Sequence, residues 1–276
     1  MNAHKKPPFR RRRIGIRLRA LRESAGFTLE AAAAQLDKNR SSLTRIESGE
    51  YKADVHLIRS MMDLYDRRDD GLIEAARAAL KPSWFAAYGF KDLGYTDVET
   101  EAIRVFDYPG MHLPGLLHVE PYIRSMFGYP HYRRTREQID NQVAVRKIRQ
   151  QRLTSEDDPL ELVAIVDEAA LRRGVGGPEV MRAQLDHLIM MADLPTVTLQ
   201  VLPMKACPPI AMNGAFTLLE FPDPDDPELL YHEYPTGALH IEDEIEVREA
   251  RLVFDTLRSE ALNPADSVAL IEQLQS

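Results

Sequence analysis

Hydrophobic residues recur at helical spacing through the first 80 residues of the chain. Ile14 and Leu18 begin one apolar stripe, and Asp54 is placed to cap a later helix with an apolar stripe of its own. A further helical pattern covers residues 72–80. These patterns predict a small all-helical domain over residues 14–80.

The hydrophobic pattern changes after residue 95. Short apolar runs alternate there with longer helical patterns. The predicted strands are 102–108, 160–166, 197–202, 215–221, 229–234 and 238–242. The predicted helices are 121–127, 134–153, 178–192 and 245–261. Turn residues in FPDPDDPE and YPTG favour antiparallel pairing of the last strands. We therefore predict an α+β fold in which a junction at 81–95 leads from the helical domain to a larger mixed α/β domain at 96–276.

Residues 27–49, FTLEAAAAQLDKNRSSLTRIESG, contain two short amphipathic helical patterns separated by a tight turn. Thr28 is placed to cap the first helix and Asn39 to cap the second. Asp37 lies in the turn, which requires left-handed backbone, so we predict a positive φ at Asp37. This arrangement is typical of a helix-turn-helix motif that binds DNA.

The second helix of this motif has a polar and an apolar side. With about 100° of rotation per residue, its polar residues fall within an arc of roughly 140°, whereas Leu43 and Ile46 point into the core. The polar residues are Arg40, Ser41, Thr44, Arg45 and Ser48. Arginine can bind guanine bidentately, and Ser and Thr can contact bases or phosphates, so this side has the chemistry to read a major groove. The alternative is an ordinary solvated surface of a three-helix cluster.

Basic residues are concentrated at the N-terminus. Residues 1–52 contain 13 Lys or Arg and 5 Asp or Glu, a net charge of +8, whereas the remaining 224 residues carry a net charge of −16. Pro7 and Pro8 disfavour a helix in residues 1–13, so we predict an extended or disordered basic arm that neutralises DNA phosphates. The candidate phosphate ligands of the arm are Arg11, Arg12 and Arg13. The alternative is a solvated tail without a role.

Residues 14–65 include GIRLRALRESAGFTLEAAAAQLDKNRSSLTRIESGE. This segment resembles the Xre-type helix-turn-helix family, whose DNA-binding domains have a lambda-repressor-like fold. The resemblance implies base contacts from Arg40, Ser41, Thr44 and Arg45. It implies that the amide end of the first motif helix holds a phosphate at Thr28 and Leu29. It also implies an ion pair between Arg22 and Glu47. The sequence departs from the family at Asp37, where glycine is usual.

Three segments stand out in the second predicted domain: DYPGMHLPGLLHVEPYIRSM, RKIRQQRL and VAIVDEAALRRGVGGPEVMRAQLDHL. They resemble the C-terminal domain of WhiJ-like regulators of actinomycetes, and the resemblance extends over nearly the whole chain. The genetic pairing of that family with small acidic proteins implies an antitoxin-like or partner-controlled repressor. Where the family usually reads PGLLQT, this chain has PGLLHV at 114–119, which replaces the Gln-Thr pair.

Enzymatic chemistry has little support in the second predicted domain. Its histidines form neither HExxH nor another paired ligand spacing, and the glycines at 173–178 are not followed by the GK[ST] of a phosphate-binding loop. Asp167 and Glu168 lie beside Arg172, which favours salt bridges over a catalytic pair of carboxylates. We therefore predict a protein that is not an enzyme and holds neither a cofactor nor a metal.

One predicted helix of the second domain carries several basic side chains: Arg146, Lys147, Arg149 and Arg152. Two interpretations are equally compatible with the sequence. The residues could form a second basic patch for DNA or an acidic partner protein, or they could be a solvated helix face.

The leading hypothesis is a sequence-specific transcriptional regulator that binds double-stranded DNA. We expect a homodimer, because two recognition helices about 34 Å apart on a palindromic site gain affinity that one small module lacks. We predict neither a signal peptide nor a membrane span, and therefore a cytoplasmic protein. One alternative is an antitoxin-like interaction module that binds a small acidic partner protein and uses DNA only for autoregulation. Another is a repressor gated by a small ligand.

Overall fold

The computed structural model describes residues 7–90, 94–130, 133–223 and 226–275. Its contacts divide the chain into two compact units between Ala86 and Ala87. The first unit is helical, and the second contains a mixed β-sheet with helices. This is the α+β class that the hydrophobic pattern predicts.

The first unit consists of α-helices whose apolar faces meet in one core. The bounds are α1 Phe9–Ser24, α2 Leu29–Gln35, α3 Arg40–Glu47, α4 Val55–Tyr65 and α5 Asp70–Leu80. Leu18, Leu43 and Ile58 come from three different helices, and each has 0% of its surface exposed. Amphipathic helices of this length gain most of their stability from such packing.

Side-chain caps fix where four of these helices begin. In each, an oxygen of the cap accepts a hydrogen bond from the backbone amide three residues later. The capping residues are Thr28, Asn39, Asp54 and Asp69. Because the first amides of a helix have no acceptor within it, each cap stabilises its helix by about 1 kcal/mol. The predicted caps at Thr28, Asn39 and Asp54 are confirmed.

Helix α1 begins at Phe9, so the prediction of an extended arm over residues 1–13 is wrong from Phe9 onward. Pro8 is the residue before the helix, and its carbonyl oxygen accepts the amide of Arg11 at 3.0 Å. Proline is tolerated at this point because the amide it lacks has no intrahelical acceptor. Residues 1–6 of the predicted arm lie outside the described residues.

The second unit is built on a sheet of strand order β3-β2-β1-β4-β5-β6. The bounds are β1 Arg104–Tyr108, β2 Glu161–Asp167, β3 Val197–Leu202, β4 Phe216–Glu220, β5 Leu229–Tyr234 and β6 Gly237–Ile241. The first three strands are parallel to one another, and β4, β5 and β6 join in antiparallel pairs. Each predicted strand is present, and the antiparallel pairing of the last three is confirmed.

The helices of the second unit connect and cover this sheet. The bounds are α6 Tyr95–Glu99, α7 Glu120–Phe127, α8 Arg136–Gln151, α9 Glu168–Leu171, α10 Pro178–Ala192, α11 Glu244–Glu260 and α12 Pro264–Leu274. The hydrophobic pattern does not predict α6 or α9, because a helix of four or five residues is too short to show a repeat of apolar positions. Our prediction also omits α12, although the Asn263 cap and Pro264 are a readable start signal. In the part of the chain that is described, every helix is too short or too polar to traverse a lipid bilayer.

The two faces of the sheet differ in character. On one face, Phe106 of β1 packs edge-to-face on Phe254 of α11, with ring centroids 5.4 Å apart, in an apolar core. Successive side chains of a strand point to opposite faces, so Asp107 lies on the other face. The second face of the sheet therefore carries the titratable side chain of Asp107, on the central strand β1.

Tyr65 is buried in the core of the first unit beside the ring of Phe27, at 5.6 Å between centroids. Its hydroxyl has no hydrogen-bond partner among the described residues. Burial and the negative charge of Glu47 raise the pKa of Tyr65 to about 12, so the hydroxyl stays protonated at neutral pH. A buried hydroxyl without a partner destabilises the folded state.

We expect Tyr65→Phe to raise the free energy of unfolding of the first unit by about 1 kcal/mol, because the lone hydroxyl is removed and the ring is kept. Trp84 is the single tryptophan of the sequence and belongs to the first unit, so its fluorescence during urea unfolding reports this change. A lower unfolding midpoint for the variant would contradict the expectation.

Candidate nucleic-acid interface

The turn between α2 and α3 contains the left-handed residue that the sequence predicts. The φ of Asp37 is +52°, and the amide of Lys38 donates to the carbonyl oxygen of Ala33 at 2.9 Å. Aspartate tolerates this conformation better than most residues. The turn thus lets α3 leave α2 at the angle of a helix-turn-helix without a glycine at this position.

Two glycines hold α1 and α3 in close contact. A Cβ atom at Gly15 would overlap the carbonyl oxygen of Glu47. A Cβ atom at Gly49 would lie 2.8 Å from the Cα of Arg12, and Gly49 also has a φ of +76°. The backbone of α1 therefore touches the C-terminal end of α3 and the glycine after it, which fixes this end of α3 against α1.

A buried ion pair joins α1 to α3. Nε and Nη2 of Arg22 donate to the two carboxylate oxygens of Glu47 at 2.7 and 3.0 Å. The two side chains are only 6% and 5% exposed, and Nη1 of Arg22 also donates to the carbonyl oxygen of Phe27 at 2.8 Å. The hydrogen bond to Glu47 raises the pKa of Arg22. The pair that the family resemblance implies is confirmed.

Helix α3 presents its polar side to solvent. Leu43 and Ile46 are buried, with 0% and 6% exposure. The exposed residues include all five predicted polar positions: Arg40, Ser41, Thr44, Arg45 and Ser48. The predicted division of this helix into a polar and an apolar side is confirmed, whereas the DNA contacts of its residues stay a prediction.

The two arginines of this exposed side have weak local partners. Nε of Arg40 lies 2.8 Å from the carboxylate of Glu30, and these side chains are 67% and 62% exposed. Nη1 of Arg45 donates to the hydroxyl of Tyr51 at 2.6 Å, and its guanidinium lies 5.2 Å from the centre of that ring. Exposed pairs of this kind contribute about 0–1 kcal/mol, so a base or phosphate can replace them.

The sequence analysis missed Tyr51 as a neighbour of Arg45. The available signal was an aromatic residue two positions after Gly49, the glycine that follows α3. Its ring limits where the Arg45 guanidinium can lie before any ligand binds. Such preorganisation reduces the side-chain entropy that binding would otherwise remove.

The two exposed hydroxyls of α3, those of Ser41 and Thr44, are arranged as acceptors toward an outside partner. Ser41 donates its proton to Oδ1 of Asn39 at 2.7 Å, and Thr44 donates to the carbonyl oxygen of Arg40 at 3.0 Å. Because each hydroxyl uses its proton in these bonds, its oxygen can still accept a hydrogen bond from another group. In this arrangement the hydroxyls suit the amino groups of adenine or cytosine in the major groove.

The predicted phosphate ligands occupy different environments. Thr28 is exposed and Leu29 is half-buried at the start of α2, and Arg11 and Arg13 are half-buried on α1. Arg12 is only 8% exposed, and its Nη1 donates to the carbonyl oxygen of Pro7 at 3.0 Å. The burial of Arg12 counts against the phosphate contact predicted for it. Phosphate binding by the other four stays a prediction.

The basic residues of α8 do not form one patch. Arg149 is buried against Glu99, Lys147 bonds to Glu120, and Arg152 donates to the carbonyl oxygens of Glu99 and Ala102. Neither interpretation from the sequence, a common basic patch or a solvated face, fits this helix. Arg146 of the same helix lies beside His118 instead, with its Nη1 3.3 Å from Nδ1.

The other candidate chemistry of the second unit is structural. Asp167 caps α9, while Glu168 accepts from Arg172 and from the amide of Met204 at 2.9 Å. Gly177 precedes α10 with a φ of 93°, as a turn into a helix requires. Among the described residues, no three His, Cys, Asp or Glu side chains are grouped so that they could hold a metal ion.

Two known families match the chain, one in each unit. Residues 13–85 match the helix-turn-helix domain family HTH_31, and residues 94–273 match the domain of unknown function DUF5753. The chain belongs to the DUF5753 family. No curated protein and no solved structure matches it. A helix-turn-helix domain at the N-terminus of a DUF5753 protein fits an Xre-like regulator, and it indicates DNA binding. The closer assignment to WhiJ-like regulators stays a prediction.

Proposed function

We propose that this DUF5753 protein is a sequence-specific transcriptional regulator that inserts α3 into the major groove of double-stranded DNA. The observation that carries the proposal is the exposure of two guanidinium groups on one side of α3. Arg40 and Arg45 are 67% and 53% exposed, while the opposite side of the helix is anchored in the core. Arginine binding to guanine is the commonest specific contact between proteins and DNA.

Electrostatics supports the same role. The net charge of +8 in residues 1–52 attracts the phosphate backbone. Because binding releases counterions from the DNA, the affinity should fall as the salt concentration rises. We propose that Arg11 and Arg13 contact phosphates beside the groove, as do Thr28 and Leu29 at the start of α2. These contacts position the domain without reading sequence. A regulator of this kind acts in the cytoplasm.

We expect Arg40→Ala and Arg45→Ala each to weaken binding to the preferred DNA sequence by about 1–3 kcal/mol, or about 5- to 150-fold. Each substitution removes a bidentate base contact and should relax the preference at one base pair. The preferred sequence is first selected from random DNA with the full chain. Fluorescence anisotropy then compares the variants on that sequence and on random DNA.

Arg59→Ala is the matched control, because Arg59 is exposed on α4 and its removal changes the net charge equally. It should weaken binding slightly and to the same extent on every sequence. Equal losses on the preferred and random DNA for the Arg40 and Arg45 variants would show that these residues contact phosphates only. If the selection from random DNA enriches no sequence, the result would count against a sequence-specific regulator.

We further propose that the DNA-bound form is a homodimer. A single recognition helix offers too few base contacts for tight binding, whereas two helices on one duplex act together. The selected DNA should therefore be an inverted repeat with half-sites one helical turn apart, about 34 Å. Selection of a lone half-site would support a monomer instead.

We propose a regulatory rather than enzymatic role for the second unit. The candidate carboxylate pair serves as a helix cap and a salt bridge there, which supports this view. The small acidic partner protein of the antitoxin-like alternative stays a prediction. The net charge of −16 in residues 53–276 works against it, because like charges disfavour association. A partner that co-purifies with the chain, together with a biological effect that survives Arg45→Ala, would favour the antitoxin-like alternative.

A further inference from the structure

A row of polar and aromatic side chains crosses part of the second face of the sheet, opposite the core that contains Phe106 and Phe254. The strand register places Asp107 of β1 beside Thr217 of β4, and Thr217 beside Tyr231 of β5. Thr217 donates its hydroxyl proton to the Asp107 carboxylate at 2.9 Å. The ring of Tyr95, at the start of α6, packs edge-on against Tyr231 at 4.9 Å. A row of hydrogen-bonding and aromatic groups thus crosses the antiparallel half of the sheet.

One of the two arginines near this row is fully neutralised. Nε and Nη2 of Arg149 donate to the two carboxylate oxygens of Glu99, both at 2.6 Å, and the side chains are only 9% and 2% exposed. The bidentate pair occupies both oxygens of Glu99. Glu99 therefore does not form an ion pair with Arg146, the preceding arginine of α8.

Arg146 has a neutral partner instead of a carboxylate. Its Nη1 lies 3.3 Å from Nδ1 of His118, and Nε2 of His118 lies 3.0 Å from the carbonyl oxygen of Leu113. The tautomer that satisfies both contacts has its proton on Nε2 and a lone pair on Nδ1. Burial and the charge of Arg146 lower the pKa of His118, which keeps the ring neutral. Among the residues that the structure describes, no carboxylate pairs with Arg146.

The Arg146 guanidinium is enclosed by protein on several sides. A Cβ atom at Gly115 would overlap its Nη1, so the backbone of that loop lies directly against the charge. The ring of Phe127 lies 5.6 Å from its Cζ, and the side chain stays only partly exposed. Burial and the like charge of Arg149 lower the pKa of Arg146 to about 10. The charges of Glu99 and Glu233 act on this pKa in the opposite direction, and Arg146 lowers the pKa of Asp107. In the described part of the chain, carboxylate charges therefore act on Arg146, but none of these groups bonds to it directly.

We propose that Arg146 is the anion-binding residue of a small-molecule site in the second unit, and that the ligand class is a small organic carboxylate. A guanidinium has five N–H donors in a planar fork that matches a carboxylate bidentately, and the bond to His118 uses one of them. The ring of Phe127 supplies aromatic surface of the kind that usually lines such sites.

This site is independent of the proposed DNA-binding function, because it lies in the second unit and involves no residue of α3. It also gives the chain a chemical basis for effector control. A carboxylate that binds the folded second unit stabilises it by mass action, whether or not DNA is present.

The test is calorimetric unfolding of the full chain with 10 mM sodium benzoate (about ten times the millimolar Kd expected for a single ion pair), at matched ionic strength. Benzamide has the same shape without the charge and serves as the control compound. We expect benzoate to raise the Tm of the second unit by about 2–4 °C and benzamide to leave it unchanged. Trp84 fluorescence identifies the separate transition of the first unit.

Arg146→Gln should abolish the benzoate shift and leave the Tm without benzoate equal or higher, because the substitution breaks no direct ion pair and removes a largely buried charge. Arg146→Lys keeps the charge but not the fork, and should lose at least half of the shift. Lys147→Gln is the matched control, since Lys147 is exposed and bonds to Glu120, and it should keep the full shift.

Four results would overturn the proposal. These are a wild-type Tm that benzoate does not change, an equal shift with benzamide, a full shift retained by Arg146→Gln, and a shift with inorganic phosphate but not with benzoate. Failure of Arg146→Gln to fold would also count against it, because the cation would then be needed by the fold itself rather than left available for a ligand.

Discussion

Replacing Arg22 by methionine is expected to lower the free energy of unfolding of the first unit by about 3–5 kcal/mol. The substitution leaves the carboxylate of Glu47, which is 5% exposed, buried without a counter-ion. It also removes the hydrogen bond to the carbonyl oxygen of Phe27. A small domain has a total stability of about 5–15 kcal/mol, so the variant should be close to unfolding.

The measurement is urea unfolding followed by Trp84 fluorescence, with DNA binding assayed in parallel. Arg19→Met is the control on the same helix, because Arg19 is 64% exposed and pairs with the exposed Glu23. It should change stability by less than about 1 kcal/mol. A similar small effect of Arg22→Met would contradict the importance given to the buried pair.

The double variant Arg22→Met with Glu47→Leu separates the two possible causes of that loss. If the unpaired carboxylate is responsible, removing both charges restores most of the stability, because apolar pairs of similar volume replace buried ion pairs well. If the contact between α1 and α3 itself needs the pair, the double variant stays unstable. The structure favours recovery, because Gly15 and Gly49 already hold the two helices together through backbone contacts.

The helix-turn-helix could be predicted from sequence because its determinants are local. The caps at Thr28 and Asn39 bond to amides three residues away. The positive φ of Asp37 could be predicted because only two residues, Asp37 and Lys38, separate the two helical patterns, so the backbone must turn sharply there. The strands were predictable for a related reason, since their buried side gives each an apolar run of limited length. Their order in the sheet depends on pairings such as β1 with β4, which no local pattern encodes.

Side-chain environments set by distant residues could not be predicted in this way. The helix α8 shows this clearly, because Arg146 contacts a residue 28 positions away and Arg149 pairs with one 50 positions away. From sequence alone the two are equivalent basic residues on one helix. Arg12 is similar, since it is buried where its backbone lies against Gly49, which is distant in the sequence. The charge of a residue is visible in the sequence, whereas its counter-ion is fixed by the tertiary fold.

Asp107 is expected to make the second unit less stable as the pH rises from about 4 to about 6. Burial raises the pKa of Asp107 from 3.8 to about 6, and the charge of Glu99 acts in the same direction. The Thr217 hydrogen bond and the charges of Arg149 and Arg146 act against it. Between these two values the folded protein holds a proton that the unfolded chain has released, so the free energy of unfolding falls with rising pH. Above about pH 6 the loss is complete and amounts to as much as about 3 kcal/mol.

Asp107→Asn should therefore be more stable than the wild type at pH 7, by up to about 3 kcal/mol, and equally stable at pH 4. The amide keeps an acceptor oxygen for the hydroxyl of Thr217 and has no charged form. Urea unfolding at the two pH values, followed by far-UV circular dichroism, measures the difference. Asp193→Asn, at an exposed position after α10, is the control that should show no such pH-dependent gain. If Asp107→Asn is instead less stable at pH 7, the ionised carboxylate is favourably paired in the folded state, through the charges of Arg149 and Arg146.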